Sequence, residues 1–145
     1  MINILSGIQS SGAALDAERM RLEVIGQNIA NANSTRGPDG QPYRRQQVVF
    51  ESVLQQQKHR LGAVAGQQPQ SVKVVRIAKD PQPPQLVFSP GHRDANAQGM
   101  VAMPNVDIQM EMADLLTASR AYEANLAVLK NSKAMALQAL AIGKR

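Results

Sequence analysis

The sequence predicts a mainly α chain with a small β insert: two long terminal helices packed as an antiparallel, coiled-coil-like pair, with a short-stranded, β-rich middle segment. Three observations predict it. All eight prolines lie between Pro38 and Pro104, so both ends lack the residue that breaks helices. Each end carries an apolar seam stepped alternately by four and three residues. The stretch between them holds 12 of the 16 glutamines and three short runs rich in β-branched or aromatic side chains. The chain divides accordingly into an N-terminal helix (1–33), a polar Pro/Gln-rich β insert (34–104) and a C-terminal helix (105–145).

The N-terminal seam runs Ile4, Ile8, Ser11, Leu15, Glu18, Leu22, Ile25, Ile29, Ala32, about four heptads. It is a weak helix by itself. Gly7, Gly12 and Gly26 each cost roughly 1 kcal/mol relative to Ala, and Ser11 and Glu18 interrupt the seam. It ends in Asn28-Ile29-Ala30-Asn31-Ala32-Asn33-Ser34-Thr35, where amide and hydroxyl side chains compete for the backbone and help terminate a helix.

The insert opens with Arg36-Gly37-Pro38-Asp39-Gly40, two strong turn signals. Gln46–Leu54 reads as a strand, Val72–Ile77 as a second and Leu86–Phe88 as a short third. The apolar phase of the second flips between Val74 and Val75, as a bulge allows. Gly62–Gln70 and Pro81–Gln85 read as loops. So few large apolar groups in about 70 residues bury only a thin core.

The C-terminal helix has a marked start. Pro104 precedes Asn105 and Asp107, either of which can cap the first free N–H groups. Its seam is Ile108, Met112, Leu115, Ser119, Tyr122, Leu126, Leu129, Lys133, Ala136, Leu140. Asp107, Glu111 and Asp114 lie near the positive end of the helix dipole, and Lys130, Lys133, Lys144 and Arg145 towards the negative end. The carboxylate pairs Asp16/Glu18 and Glu111/Asp114 read as solvated faces.

Composition excludes several chemistries. With no cysteine, a disulfide scaffold, a Cys-ligated zinc site and a cysteine nucleophile are impossible. His59 and His92 stand alone, without a second ligand at metal spacing. Phosphate-loop, nucleophile-elbow and His-Glu-x-x-His motifs are absent. These readings point to no enzyme, no cofactor and no metal. No apolar run is long enough to span a membrane, and the first residues lack the pattern of a cleaved signal peptide. Net charge is +5, and the excess sits in the insert: the ends carry −1 and +1, residues 34–104 +5. The insert lacks a cluster of five cations or a platform of aromatic side chains for stacking bases.

An apolar stripe is most often the buried face of an ordinary bundle. Here the insert offers little surface to cover two long seams, so the chain reads as one that completes its core against neighbouring chains.

Two stretches resemble a known family. Gly26-Gln27-Asn28-Ile29-Ala30-Asn31-Ala32-Asn33-Ser34-Thr35 is similar to the Asn-x-Ala-Asn signature near the N-terminus of bacterial flagellar axial proteins. Met103-Pro104-Asn105-Val106-Asp107, continuing through Glu111-Met112-Ala113-Asp114-Leu115 to Ser119-Arg120-Ala121-Tyr122-Glu123-Ala124-Asn125, resembles the C-terminal signature of basal-body rod and hook proteins. The short length and the segment Arg36–Arg45 resemble the proximal members of the flagellar basal-body rod family.

The resemblance implies a structural, self-assembling subunit of the proximal rod, part of the drive shaft carrying torque from the motor ring to the hook. It implies export by the flagellar type III apparatus without a cleaved signal, and a periplasmic location in the basal body. Implied partners are other rod subunits and the chain itself, inner-membrane ring or export-gate adaptor proteins at the rod base, and the export apparatus. Neither nucleic acid nor a small-molecule substrate is among them. It marks Asn28, Ala30, Asn31, Ser119, Arg120, Ala121, Tyr122, Glu123 and Asn125 as motif positions. Asn28, Asn31 and Asn33 then either fix register between subunits or end the helix. Arg120 and Glu123 are either a cross-chain ion pair or solvated charges; Tyr122 lies on the seam. The rival reading is a helical adaptor or nucleic-acid-associated protein using its basic insert, which steep salt dependence of DNA binding would reveal.

Overall fold

The structure, a computed structural model, describes residues 4–53 and 71–142. In chain order it contains helix α1 (Ile4–Ala30), strands β1 (Gln46–Val53), β2 (Ser71–Lys79), β3 (Gln85–Phe88) and β4 (Met100–Met103), and helix α2 (Ile108–Ile142). The chain is mainly helical with a small β part, made of two separate two-stranded antiparallel sheets, β1–β2 and β3–β4.

Helix α2 starts on Asp107. Its Oδ1 accepts from the N–H groups of Gln109 at 2.9 Å and Met110 at 3.4 Å, and its carbonyl takes the first helical bond, from Glu111 N at 2.9 Å. Asn105, the other capping candidate, serves elsewhere: its Oδ1 accepts from Arg45 N at 3.0 Å, tying the entry of β1 to the start of α2. At the end of α1 the backbone and side-chain nitrogens of Asn31 both donate to Gln27 O, at 3.0 and 2.9 Å, and Ala32 N then turns to Ile29 O at 3.2 Å, a tighter i→i−3 bond that leaves the α-helical ladder.

In the long hairpin Val49 pairs with Arg76 and Phe50 with Val74. Val75 is thus the extra residue of a bulge, at the point where the apolar phase of the sequence flips. Strand β4 has no forecast in the sequence: Met100–Met103 is four residues long and shows no alternation of its own. It pairs with β3; residues 89–99 join the two, and Ser89 N donating to Gly99 O at 2.9 Å closes the loop. Gly99 has φ +74°, and a Cβ there would lie 3.0 Å from the Phe88 ring, so both backbone and space require glycine. The loop forecast at 62–70 and His59 lie outside the described residues. His92 is exposed, and its Nδ1 accepts from Asp94 N at 3.1 Å.

Helix α1 packs on α2 and also touches β1 and β2. Among the residues whose burial is described, the buried apolar set is small: Ala17, Val24, Ile25, Ala32, Val101 and Ala118. Helices with alanine at the contact approach closely, so a thin core still excludes water. On α1, Ile25 is buried and Ile8, Leu15, Leu22 and Ile29 are half-buried, whereas Ala17, Val24 and Asn28 take the deepest seats. The side chain of Ile4 lies outside the described set.

On α2, Leu115, Tyr122, Leu126 and Leu129 are half-buried, but Ile108, Met112 and Leu140 stand in solvent, 38 %, 53 % and 68 % exposed. Glu111 and Ala118 occupy the buried face instead. The physical reason is that the covered stripe is centred on the smallest residue, Ala118, and on a carboxylate with partners, one step round the helix from the bulkiest apolar row.

Candidate functional site

Where the end of α1, the entry to β1 and the start of α2 meet, polar side chains replace the apolar core. Asn28 is 1 % exposed and Glu111 fully buried. Asn28 Nδ2 donates to Gln46 O at 2.9 Å and to Glu111 Oε2 at 3.0 Å. Its Oδ1 accepts from Gln46 N and from the Tyr43 hydroxyl, both at 2.9 Å. Both donors and both lone pairs of the amide are thereby used within the node. Glu111 Oε1 accepts a short hydrogen bond from Arg45 Nε, so the buried carboxylate has both a countercharge and a donor on each oxygen.

The charges spread outward in order. Arg45 Nη2 lies 3.5 Å from Asp114 Oδ2, and Arg21 Nη2 lies 3.7 Å from Asp114 Oδ1. Two arginines and two carboxylates thus alternate across α1, the β1 entry and α2. Glu111 and Asp114, expected as solvated faces, belong to this network. The expectation is corrected because Arg45 and Asn28, 66 and 83 residues from Glu111, arrive to desolvate and pair it, and Arg45 reaches Asp114 as well. Tyr43 is held by its own N–H donating to Ser34 O at 3.1 Å. Burial, and behind it the negative charge of Glu111, raises the Tyr43 hydroxyl above the ordinary tyrosine value of 10.0. The hydroxyl therefore stays a donor to Asn28.

Chemically the node is a clamp. A groove of about 320 Å³ opens beside it, and the charges that line it, Arg21, Arg45, Glu111 and Asp114, are already paired with one another. What the arrangement ties together is three segments: the end of α1, the entry to β1 and the start of α2. Asn28 thus has an intramolecular role that neither alternative for it foresaw; Asn31 bonds back to Gln27 O just past α1, and Asn33 is exposed. Of the other motif positions, Ala30, Arg120 and Glu123 are exposed, and Ser119, Ala121, Tyr122 and Asn125 are half-buried on α2. Sequence reasoning missed Tyr43, Arg45 and Gln46 as site residues. The signal for them is slight: a buried amide implies distant partners, but names none.

A model of the flagella basal body rod protein family matches residues 8–38, and one described as the flagellar basal body rod FlgEFG protein C-terminal matches 97–142. The node draws its side chains from both matched segments and from the stretch between. Over nearly the whole length the chain is similar to the flagellar basal-body rod protein FlgC of Yersinia enterocolitica: 43 % identical over 143 residues, 99 % of this chain and 100 % of the relative. FlgC of Salmonella typhimurium is 43 % identical over 141 residues, 97 % of this chain and 98 % of the relative. FlgC of Bacillus subtilis is 39 % identical over 145 residues, covering 92 % and 94 %.

The chain belongs to the FlgC family of flagellar basal-body rod proteins. As a FlgC-like chain it is a structural subunit of the basal-body rod, and its relatives are named as rod proteins, not enzymes.

Proposed function

We propose that this FlgC-family chain is a non-enzymatic, self-assembling subunit of the proximal rod, part of the drive shaft that carries torque from the motor ring to the hook. One observation carries the reading. On a chain of the rod family, α2 leaves Leu116, Val128, Met135, Leu137 and Leu140 between 52 % and 68 % exposed, large apolar side chains that a neighbouring subunit can cover. The seams on Ile4–Ile29 and Ile108–Leu140 then serve in two ways, within the chain where they are half-buried and between chains where they stand in solvent.

In this reading α1 and α2 run antiparallel as a coiled-coil-like pair. The bond from Asn28, late in α1, to Glu111, early in α2, supports that direction, as does the pair Arg21–Asp114, earlier on α1 and later on α2. The chain keeps three parts, 1–33, 34–104 and 105–145. It is exported through the flagellar type III apparatus without a cleaved signal and assembles in the periplasm, with other rod subunits above it and inner-membrane ring or export-gate adaptor proteins below. The glycines of α1 suit such a route: a marginal helix unfolds readily for passage and gains order when neighbours bury it.

The test is genetic and structural together. Cells lacking the chain are expected to build no rod beyond the inner-membrane ring and not to swim, and a reconstruction of their complemented basal bodies places the chain at the rod base. Normal rods in the deletion strain overturn the reading.

A further inference from the structure

Between the end of α1 and the entry to β1 the chain reverses on a small loop. Gly40 N donates to Gly37 O at 3.0 Å, closing a turn with Pro38 and Asp39 at its centre, and Gly37 N donates to Gln41 O at 2.7 Å. Gly40 takes φ +72°, the left-handed step that ends a three-residue hairpin loop. Further out, Tyr43 N donates to Ser34 O, so the loop delivers Tyr43 to the node. Asp39 and Gly40 are exposed, and among the described residues no hydrogen bond or ion pair holds the Asp39 carboxyl group. A cavity of about 400 Å³ lies beside it, bounded by Pro38, Tyr43, Arg44 and Lys79, and gives water access to the turn.

We propose that Asp39 is the site at which this chain forms isoaspartate, and that the change loosens the Tyr43 side of the node. The Gly40 nitrogen attacks Cγ of Asp39. An N–C bond forms, and the carboxyl hydroxyl leaves with the amide hydrogen as water, giving a five-membered cyclic imide. Water then adds and breaks one of the two bonds from nitrogen to a ring carbonyl. Cleavage at Cγ restores aspartate. Cleavage at the backbone carbonyl carbon leaves the chain running through Cβ and Cγ, with a free carboxyl on Cα. The water lost is regained, so the step needs no oxidant, reductant or further reactant.

The six aspartates are not equivalent. Glycine puts no side chain beside the attacking nitrogen, and no atom lies within 4 Å of where a Gly40 Cβ would stand. Asp16, Asp94, Asp107 and Asp114 precede Ala17, Ala95, Ile108 and Leu115, whose side chains crowd the attack, and Asp80 precedes Pro81, whose nitrogen carries no hydrogen. The carboxylates of Asp80, Asp94, Asp107 and Asp114 are also held by partners. Asp16 lies inside α1, where the helical ladder holds the nitrogens. At Gly40 a single turn bond must open to free the nitrogen. An extra backbone atom in so short a loop breaks the Gly37–Gln41 closure, and Tyr43 is no longer set against Asn28.

The experiment holds the purified full chain at neutral pH and growth temperature and samples it over weeks. Isoaspartate is counted by methyl transfer from labelled S-adenosylmethionine with an isoaspartate-specific methyltransferase, and located by mass-spectrometric peptide mapping. Asp39 is expected to carry on the order of tenfold more than any other aspartate, a barrier difference of about 1.4 kcal/mol. Asp39→Glu, whose imide would need a six-membered ring, is expected to lose that signal. The fraction modified at Asp39, separated from the unmodified chain, is expected to unfold at lower urea, and Tyr43→Phe should narrow the gap between the two. Isoaspartate mainly at another residue, or none at Asp39, overturns the site. Equal urea midpoints for the two fractions, or a gap that Tyr43→Phe leaves unchanged, overturn its link to the node.

Discussion

The two ends of α2 are built on opposite rules. At the start, buried positions are held by a carboxylate and an amide, Glu111 and Asn28, and the helix is capped by Asp107. At the far end Met135, Leu137, Leu140 and Ile142 face water, and no basic residue occupies the last described turn. Polar groups lie inside where the chain closes on itself; apolar groups lie outside where it stops. A buried polar node contributes little net affinity but punishes every wrong register. Exposed apolar side chains do the reverse. Each gains on the order of 1.5–3 kcal/mol when covered, with little preference for angle. The chain therefore fixes its own geometry at one end and leaves binding energy unspent at the other.

The largest expected effect tests the closed end. Glu111→Ala leaves Arg45 and Asn28 without their shared acceptor in a buried place. Breaking such a pair costs about 3 kcal/mol or more, read as lost stability in urea denaturation of the dilute chain. Glu111→Gln keeps an acceptor for Asn28 and should cost less. A loss under about 1 kcal/mol for the alanine variant would show that the node does not hold this end, and the comparison breaks.

Next comes Asn28→Ala, expected to cost about 2 kcal/mol, since the part-buried backbone groups of Gln46 and one buried Glu111 oxygen lose their partner. A double-mutant cycle with Glu111→Ala sharpens the point. The two losses should fail to add by about 1 kcal/mol, because both changes remove one shared bond. Strict additivity would mean two separate contacts rather than one node.

Much of this architecture is legible in the sequence. Both helices follow from proline-free seams, the three apolar runs of the insert form β1, β2 and β3, and the flip at Val74–Val75 locates the bulge. These are local signals, carried by the spacing of residues along one stretch of chain. The node is not legible, because its parts sit at 28, 43, 45, 46 and 111 and only the fold brings them together. Glu111 in particular reads as a routine first-turn acid. In sequence a carboxylate near the positive end of a helix dipole is indistinguishable from one that also faces an arginine. Depth of burial does not follow side-chain bulk for a related reason. Hydrophobicity ranks bulk, while close helix contact selects small residues, and Ala17 and Ala118 lie deeper than Leu15 and Met112.

A smaller effect lies at the edge of the node. Tyr43 keeps its proton to higher pH in the folded chain than in the unfolded one, whose tyrosines ionise near 10.0. Its stabilising contribution is therefore complete below about pH 10 and is lost as pH rises through the raised folded value. Tyr43→Phe removes the bond to Asn28, costing about 1 kcal/mol at neutral pH, and should flatten the decline of stability above pH 10. An unchanged alkaline decline in the variant would place the titrating group elsewhere.

The smallest effect is expected at the open end, and its smallness is the point. Leu137 is 58 % exposed on α2. Leu137→Gln exchanges two residues of similar helix propensity, so the change isolates burial from helix formation. If nothing in the single chain covers this position, dilute urea unfolding should shift by no more than about 0.5 kcal/mol. A loss of about 2 kcal/mol, the scale set by Asn28, would mean that this end is closed within one chain as the node end is. The contrast between the two ends would then vanish, and with it the reason for expecting a neighbour there.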